Sequence, residues 1–137
     1  MIADWFSKPT KKIGFEDVKV AISSSSKYFI INTLLINEQD CLIKNTVDVK
    51  DEEKTLNSIL DNYEMKKVSI IVYGKNAADN SVEKKYKQLV GLGFSNVYIY
   101  SGGLFEWMLL QDIYGDKEFP TTAKVLDILK YRPAKEL

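Results

Sequence analysis

Few side chains in this sequence are suited to catalysis. The chain contains no His and a single Arg, Arg132. His is the usual general base near neutral pH and the commonest zinc ligand, and Arg is the usual rigid clamp for phosphate or sulfate. The single Cys, Cys41, excludes a disulfide within the chain, which favours a reducing, cytoplasmic location. Histidine-dependent hydrolases, histidine–zinc sites and arginine-dependent phosphatases are therefore disfavoured together.

One polar loop is the best remaining place for chemistry. It reads GKNAADNS and joins an apolar strand pattern, VSIIVY, to a charged helical pattern. The first amides of a helix lack intrahelical partners, so such a loop can hold an anion on backbone N–H groups, with about 0.3–1 kcal/mol from the helix dipole. Asp79 is a good N-cap residue, as are its two successors, and in that role it would occupy those amides itself. The loop residues are Gly74, Lys75, Asn76, Ala77, Ala78, Asp79, Asn80 and Ser81, and the candidate anion-binding residues among them are Gly74, Lys75, Asn80 and Ser81.

The segments around this loop alternate between apolar strands and amphipathic helices. This alternation predicts an α/β fold, with a central, mainly parallel sheet of about five strands and helices on both faces. Ligands of such sheets bind outside the carboxyl ends of the strands, where the loop should lie. Strand patterns cover 27–36, 41–49, 68–74 and 96–100, and helical patterns cover 15–22, 51–63, 82–92 and 121–131. The segment 101–115 turns through two glycines into a further, strongly apolar helix.

The length of 137 residues is that of one ordinary domain. We predict an N-terminal arm over 1–12, a domain over 13–114, and a C-terminal helix within 115–137 that packs on the domain. Basic and acidic residues balance at 19 each, so there is no net charge to attract nucleic acid or an anionic membrane. The start, MIADWFSKPTKK, has no long apolar segment after a basic head, so we expect neither a signal peptide nor a membrane span there.

The order of these segments resembles the rhodanese-like domain family. The most specific part is GLGFSNVYIYSGGLFEW, which holds the family's GG-x-x-x-W signature at Gly102, Gly103 and Trp107. The resemblance covers roughly 13–110 and implies the same α/β fold. Active members carry a Cys directly after the strand, in the pattern V-Y-C, which accepts sulfur as a persulfide, and a basic residue before the helix. Here Gly74 takes the place of that Cys, and Ser81 stands near the place of the family's Arg.

The resemblance therefore implies a catalytically inactive rhodanese-like domain, with no cofactor and no metal, that acts as a protein-interaction or structural module. A protein partner is expected, including a second copy of this chain. Two alternatives are a small-anion-binding domain that uses the 74–82 loop and a sulfurtransferase with Cys41 as a relocated nucleophile. A third is a carboxylate metal site at Asp48, Asp51, Glu52 and Glu53, a cluster that a helix N-terminus also explains. The candidate interaction residues are the aromatic residues Trp5, Phe6, Tyr114 and Phe119.

Overall fold

A parallel sheet of four strands, in the order β1-β4-β3-β2, forms the centre of the molecule. The computed structural model describes residues 9–137. The strands are β1 (Lys12–Ile13), β2 (Tyr28–Asn32), β3 (Ser69–Tyr73) and β4 (Val97–Tyr100). The helices are α1 (Phe15–Ser23), α2 (Val49–Asp61), α3 (Ser81–Gly91) and α4 (Gly103–Tyr114), with short 3₁₀-helices at Ile36–Glu38 and Ile128–Tyr131.

The register of the strands brings three loops to one edge of the sheet. Strand β3 is central and is buried from Ile70 to Tyr73, as its uninterrupted apolar run predicts. Tyr73 at its end is opposite Asn32 of β2 and Tyr100 of β4. The chain segments that follow these three residues therefore start side by side at the carboxyl edge.

Helices cover both faces of the sheet, as the sequence predicts. Successive strand residues point to opposite faces, so each strand contributes to two cores. On one face, α1 and α4 pack on Ile30 and Ile71, and Trp107 is at the centre of this core. On the other face, α2 and α3 pack on Ile31 and Val72. Among the described helices, none combines the length and apolar composition that a membrane span requires.

The sheet has four strands and not about five: the predicted strand over 41–49 does not form, and β1 is a strand that was not predicted. This segment makes only isolated bridges, Ile30 with Thr46 and Ile43 with Thr121. Asn45 has a positive φ of 69°, which turns the chain and ends any extended run. The predicted boundary of the N-terminal arm at residue 12 is also wrong, because Lys12–Ile13 forms β1 and pairs with β4.

The predicted C-terminal helix is wrong as well. The only helical part of this segment is the 3₁₀-helix Ile128–Tyr131, and the rest is irregular. Two buried aromatic side chains, Phe119 and Tyr131, hold the segment against the domain. Its backbone bonds to the 41–44 segment, with Lys44 N donating to the Pro120 carbonyl and Thr122 N to the Leu42 carbonyl. These long-range contacts prevail over a weak local helical pattern.

Candidate functional site

The loop from Gly74 to Ser81 connects β3 to α3 at the carboxyl edge of the sheet. The first turn of α4 holds it in place: Leu104 N donates to the Gly74 carbonyl and Phe105 N to the Lys75 carbonyl, each at 2.9 Å. Gly103 permits this approach, because its φ is +68° and a Cβ there would lie 2.8 Å from the Gly74 oxygen. The second glycine of the GG-x-x-x-W pattern therefore positions the loop.

The side chain of Asp79 folds back into the loop and accepts its amides. Its Oδ2 accepts a hydrogen bond from Lys75 N at 3.0 Å, and its Oδ1 accepts from Ser81 N at 3.0 Å. The Ser81 hydroxyl also donates to Oδ1. Of the predicted N-cap residues, Asp79 thus provides the acceptor, and the Asn80 side chain makes no capping bond within residues 9–137.

The same carboxylate fills the space beside Gly74. A Cβ placed on Gly74 would lie 2.5 Å from Asp79 Oδ2 and 2.5 Å from Val82 Cγ2. Observed Cβ atoms are essentially never that close to another heavy atom. The room that a side chain at this position would need is therefore occupied by Asp79 and Val82.

The side chains of Lys75 and Asn76 also hold the loop. Lys75 Nζ forms an ion pair with Glu38 Oε2 at 2.6 Å, so its charge already has a partner. Asn76 is buried; its Oδ1 accepts from Ala78 N and its Nδ2 donates to the Tyr131 carbonyl, both at 2.9 Å. The sequence indicated Lys75 as an anion ligand but not the roles of Glu38, Asn76 and Tyr131, because these contacts join residues far apart in the chain.

The other candidate reactive groups lie outside the loop. Cys41 is buried with 1% of its surface exposed, and its Sγ donates to the Ala123 carbonyl. Asp48 caps α2 by accepting from Lys50 N, as the helix interpretation of the acidic cluster predicts. Within the described part of the chain, no group of three or more potential metal-ligating side chains occurs.

Two buried tyrosines at the carboxyl edge stay protonated near neutral pH. Burial raises the pKa of Tyr73 well above its ordinary value, although its hydroxyl accepts from Ile43 N and shares a bond with Thr46 Oγ1. Burial also raises the pKa of Tyr100, and the nearby Glu106 carboxylate raises it further. The Tyr100 hydroxyl has no hydrogen-bond partner among residues 9–137. Neither phenol can therefore act as a general base near neutral pH.

The aromatic residues that we predicted as candidate interaction residues do not form one exposed patch. Tyr114 is exposed over 63% of its surface. Phe119 is only 3% exposed and packs on Trp107, with ring centroids 5.0 Å apart, so the expectation that it lies on the surface is wrong. Its apolar ring is more stable in the core than in water. Trp5 and Phe6 lie outside the described residues.

A cleft of about 820 Å³ lies beside the loop. One side consists of loop residues and the segment that follows β2, and the other consists of C-terminal residues. The loop side includes Leu35, Glu38, Lys75 and Asp79, and the C-terminal side includes Lys130, Arg132, Pro133, Lys135 and Glu136.

Several solved structures share this fold at low sequence identity. The BH2092 protein from Bacillus halodurans is 20% identical, with a TM-score of 0.59 over 73% of this chain and 72% of that one. The Alr3790 protein from Anabaena sp. is 17% identical, with a TM-score of 0.57 over 86% and 97%. Ygr203w, a yeast protein tyrosine phosphatase of the Rhodanese family, is 12% identical, with a TM-score of 0.60 over 87% and 96%.

The sequence of this chain matches a family model but no individual curated protein. No curated protein sequence matches this chain significantly. The family model of the rhodanese-like domain, however, matches residues 4–110, which is more than three quarters of the chain. The motif residues Gly102, Gly103 and Trp107 lie within that match; Gly103 allows the close approach to the loop, and Trp107 is buried in the core. This protein belongs to the rhodanese-like domain family.

Proposed function

We propose that this protein is a catalytically inactive rhodanese-like domain that acts as a protein-interaction or structural module. One observation carries the proposal: the Asp79 carboxylate accepts the Lys75 and Ser81 amides and fills the space beside Gly74. This one side chain occupies both the space that a nucleophilic side chain at residue 74 would need and the amides that an anion would need.

Sulfur transfer of the family's kind needs a thiolate after β3 and free amides around it. Gly74 provides no thiol, and the amides of Lys75 and Ser81 already bind a carboxylate. A second anion at the same place would meet that negative charge at short range, where the low local dielectric strengthens repulsion. Ygr203w is a protein tyrosine phosphatase, but we do not expect phosphatase activity from this chain, because its loop has no thiol and no arginine and the same two amides are occupied.

The relocated nucleophile is a weaker candidate. A reactive cysteine needs an exposed thiolate near a positive group, whereas an apolar, buried cysteine is inert. Cys41 is in the core with Tyr73 and Trp107, and its thiol donates to a backbone carbonyl. These contacts support a structural role for Cys41.

The anion-binding alternative also has little support in the geometry. Lys75, the one cation of the loop, is paired with Glu38, and the helix amides are capped from within. An incoming anion would have to displace the Asp79 carboxylate. The interaction proposal, in contrast, has candidate surfaces: Leu109, Ile113 and Tyr114 of α4 and Leu35 and Ile36 after β2 are exposed apolar residues.

A sulfurtransferase assay tests the catalytic half of the proposal. Thiosulfate and cyanide are supplied to the wild-type chain and to Cys41→Ser, and thiocyanate is measured beside an active rhodanese. We expect no thiocyanate above the blank from either chain. Turnover by the wild type that disappears in Cys41→Ser would overturn the proposal in favour of the relocated nucleophile.

A titration tests the anion alternative. Sulfate, phosphate and thiosulfate are added to millimolar concentration while the amide NMR signals of residues 74–82 are recorded. We expect no shift in the wild type and shifts in Asp79→Ala, in which the amides are released. Shifts in the wild type would support an anion site instead.

Light scattering after size exclusion tests the self-association version of the module. A molecular mass that rises with protein concentration supports association between copies of this chain. A monomer at every concentration excludes that version and requires a different protein as partner.

A further inference from the structure

We propose that the cleft between the 74–81 loop and the C-terminal residues 130–136 binds an extended, acidic segment of a partner protein. The inference rests on the proposed function and specifies the partner. It concerns the wall of the cleft that lies beyond the matched family region, which ends at residue 110.

The start of the C-terminal wall is held against the loop. Tyr131 is 2% exposed, and its carbonyl accepts from the buried side chain of Asn76. Arg132 N donates to the Leu129 carbonyl in the 3₁₀-helix Ile128–Tyr131, whose end forms the start of the wall. The position of Tyr131 and Arg132 relative to the loop is therefore set by the core.

The charges of the cleft are distributed unevenly between its two sides. On the loop side, Lys75 and Glu38 neutralise each other at 2.6 Å, and the Asp79 carboxylate is bound by amides. On the C-terminal side, three cationic residues line the cleft against one acidic residue, Glu136. Within residues 9–137 none of the three forms an ion pair, and the described ion pairs join other residues. The cations are Lys130, Arg132 and Lys135.

This excess of positive charge is local, because the whole chain has a formal net charge of zero. Three cations spread over six residues of wall suit a ligand with several separated carboxylates better than one small anion. Apolar surface lies between them: Pro133 lines the same wall, and Leu35, which is 66% exposed, lies opposite. An extended segment that contains acidic and apolar residues complements both features.

A nucleic acid fits the cleft less well. Single-stranded nucleic acids bind where aromatic side chains can stack on bases and cations follow the backbone. Tyr131, the aromatic residue of the wall, is buried, and no exposed aromatic residue lines the cleft in the part of the chain that the structure describes. The cleft volume of about 820 Å³ is enough for several peptide side chains.

The test uses a short fluorescent peptide of Glu and Leu residues and a matched peptide in which Lys replaces Glu. Binding to the full chain is measured by fluorescence anisotropy at low and high salt. The triple variant Lys130→Ala, Arg132→Ala, Lys135→Ala is compared with Lys50→Ala, Lys54→Ala, Lys67→Ala, which removes the same charge from an exposed surface elsewhere. Circular dichroism and thermal unfolding verify that both variants are folded.

We expect the acidic peptide alone to bind, with affinity that falls as salt rises, and to shift amide NMR signals of residues 33–38 and 130–136. The cleft variant should bind on the order of tenfold more weakly, and the control should bind within about twofold of the wild type. The proposal is overturned by equal weakening in both variants, by equal binding of the Lys peptide, by shifts confined to another surface, or by no binding at millimolar concentration. Tighter binding of a uridine oligonucleotide to the same residues would replace the peptide with RNA.

These outcomes are separable from the proposed function. If the peptide does not bind but the chain produces no thiocyanate, the inactive module remains and only this cleft is excluded. If the chain transfers sulfur, the proposed function fails whatever the peptide does.

Discussion

Asp79 and Gly74 depend on each other sterically. A Cβ on Gly74 would lie 2.5 Å from Asp79 Oδ2, and Asp79 in turn accepts the amide of Lys75, the residue next to Gly74. The carboxylate can occupy the loop only because residue 74 has no side chain. The presence of the Asp79 carboxylate in the loop and the absence of a cysteine at residue 74 are therefore one structural feature.

This relationship predicts that Gly74→Cys does not simply restore the family's nucleophile. The new side chain must displace the Asp79 carboxylate or Val82, and displacement breaks hydrogen bonds in a partly buried loop. We expect the free energy of unfolding in urea to fall by about 1–3 kcal/mol.

Gly14→Cys is the matched control, since a Cβ at Gly14 has no neighbour within 4 Å. It should change stability by less than about 0.5 kcal/mol. Adding Asp79→Ala to Gly74→Cys should cost less than the sum of the two single changes, because the first removes the obstacle to the second. Equal stability of the Gly74 and Gly14 variants would contradict the steric account.

Gly103→Ala should destabilise the protein through the start of α4. The residue has a φ of +68°, and a Cβ there would lie 2.8 Å from the Gly74 carbonyl and 3.0 Å from Asn76 N, both backbone atoms that cannot move aside alone. We expect a loss of roughly 2 kcal/mol or more in urea unfolding.

Gly91→Ala is the control for this change, because Gly91 is in α3 and a Cβ there meets no atom within 4 Å. Alanine should stabilise the helix there by up to about 1 kcal/mol. A neutral effect of Gly103→Ala would mean that the close approach of α4 to the loop is not required.

The buried tyrosines predict a loss of stability at alkaline pH. Burial raises the pKa of Tyr73 and Tyr100 in the folded chain, whereas in the unfolded chain each titrates near its ordinary value of about 10. Above that pH the unfolded state releases protons that the folded state retains, so stability is complete below about pH 10 and falls as pH rises. The slope should reach roughly 1.4 kcal/mol per pH unit for each tyrosine.

Urea unfolding from pH 8 to pH 11 or so measures this slope. Tyr73→Phe should lower stability at every pH, because it leaves the buried Ile43 N–H without its acceptor. It should also remove the contribution of one tyrosine from the slope at alkaline pH. Tyr63→Phe, which alters a ring that is 84% exposed, is the control. A slope that is unchanged in Tyr73→Phe would show that this phenol titrates alike in both states.

Asn76→Ala should release the C-terminal wall. The substitution leaves the Tyr131 carbonyl and the Ala78 amide without their partners. We expect the amides of Lys130 and Arg132 to exchange with deuterium faster by at least about tenfold, and trypsin to cleave after Lys130 sooner. Asn57→Ala, at an exposed position of α2, should change neither rate. Unaltered exchange in Asn76→Ala would mean that Tyr131 is held by packing alone.

Local patterns were enough to predict most of the elements that position the site. The ends of β3, α1, α2 and α3 lie within two residues of the predicted ones, because apolar periodicity and glycine or proline boundaries are encoded by neighbouring residues. The predicted strand over 41–49 failed since residues 42–44 pair with the C-terminal segment, more than 70 residues away, and the chain turns at Asn45. The helix pattern at 121–131 failed because Phe119 and Tyr131 gain more by burial in the core.

Sequence alone therefore established the family, the order of its elements, and the absence of a cysteine and an arginine from the loop, because these are properties of residue type and spacing. It presented Asp79 as one of three equal N-cap candidates and could not place its carboxylate against Gly74. Nor could it show that Lys75 pairs with Glu38 or that residues 130–136 form a wall of the cleft. Those contacts depend on how separate segments share space, and this is decided only when the sheet and its two layers of helices pack together.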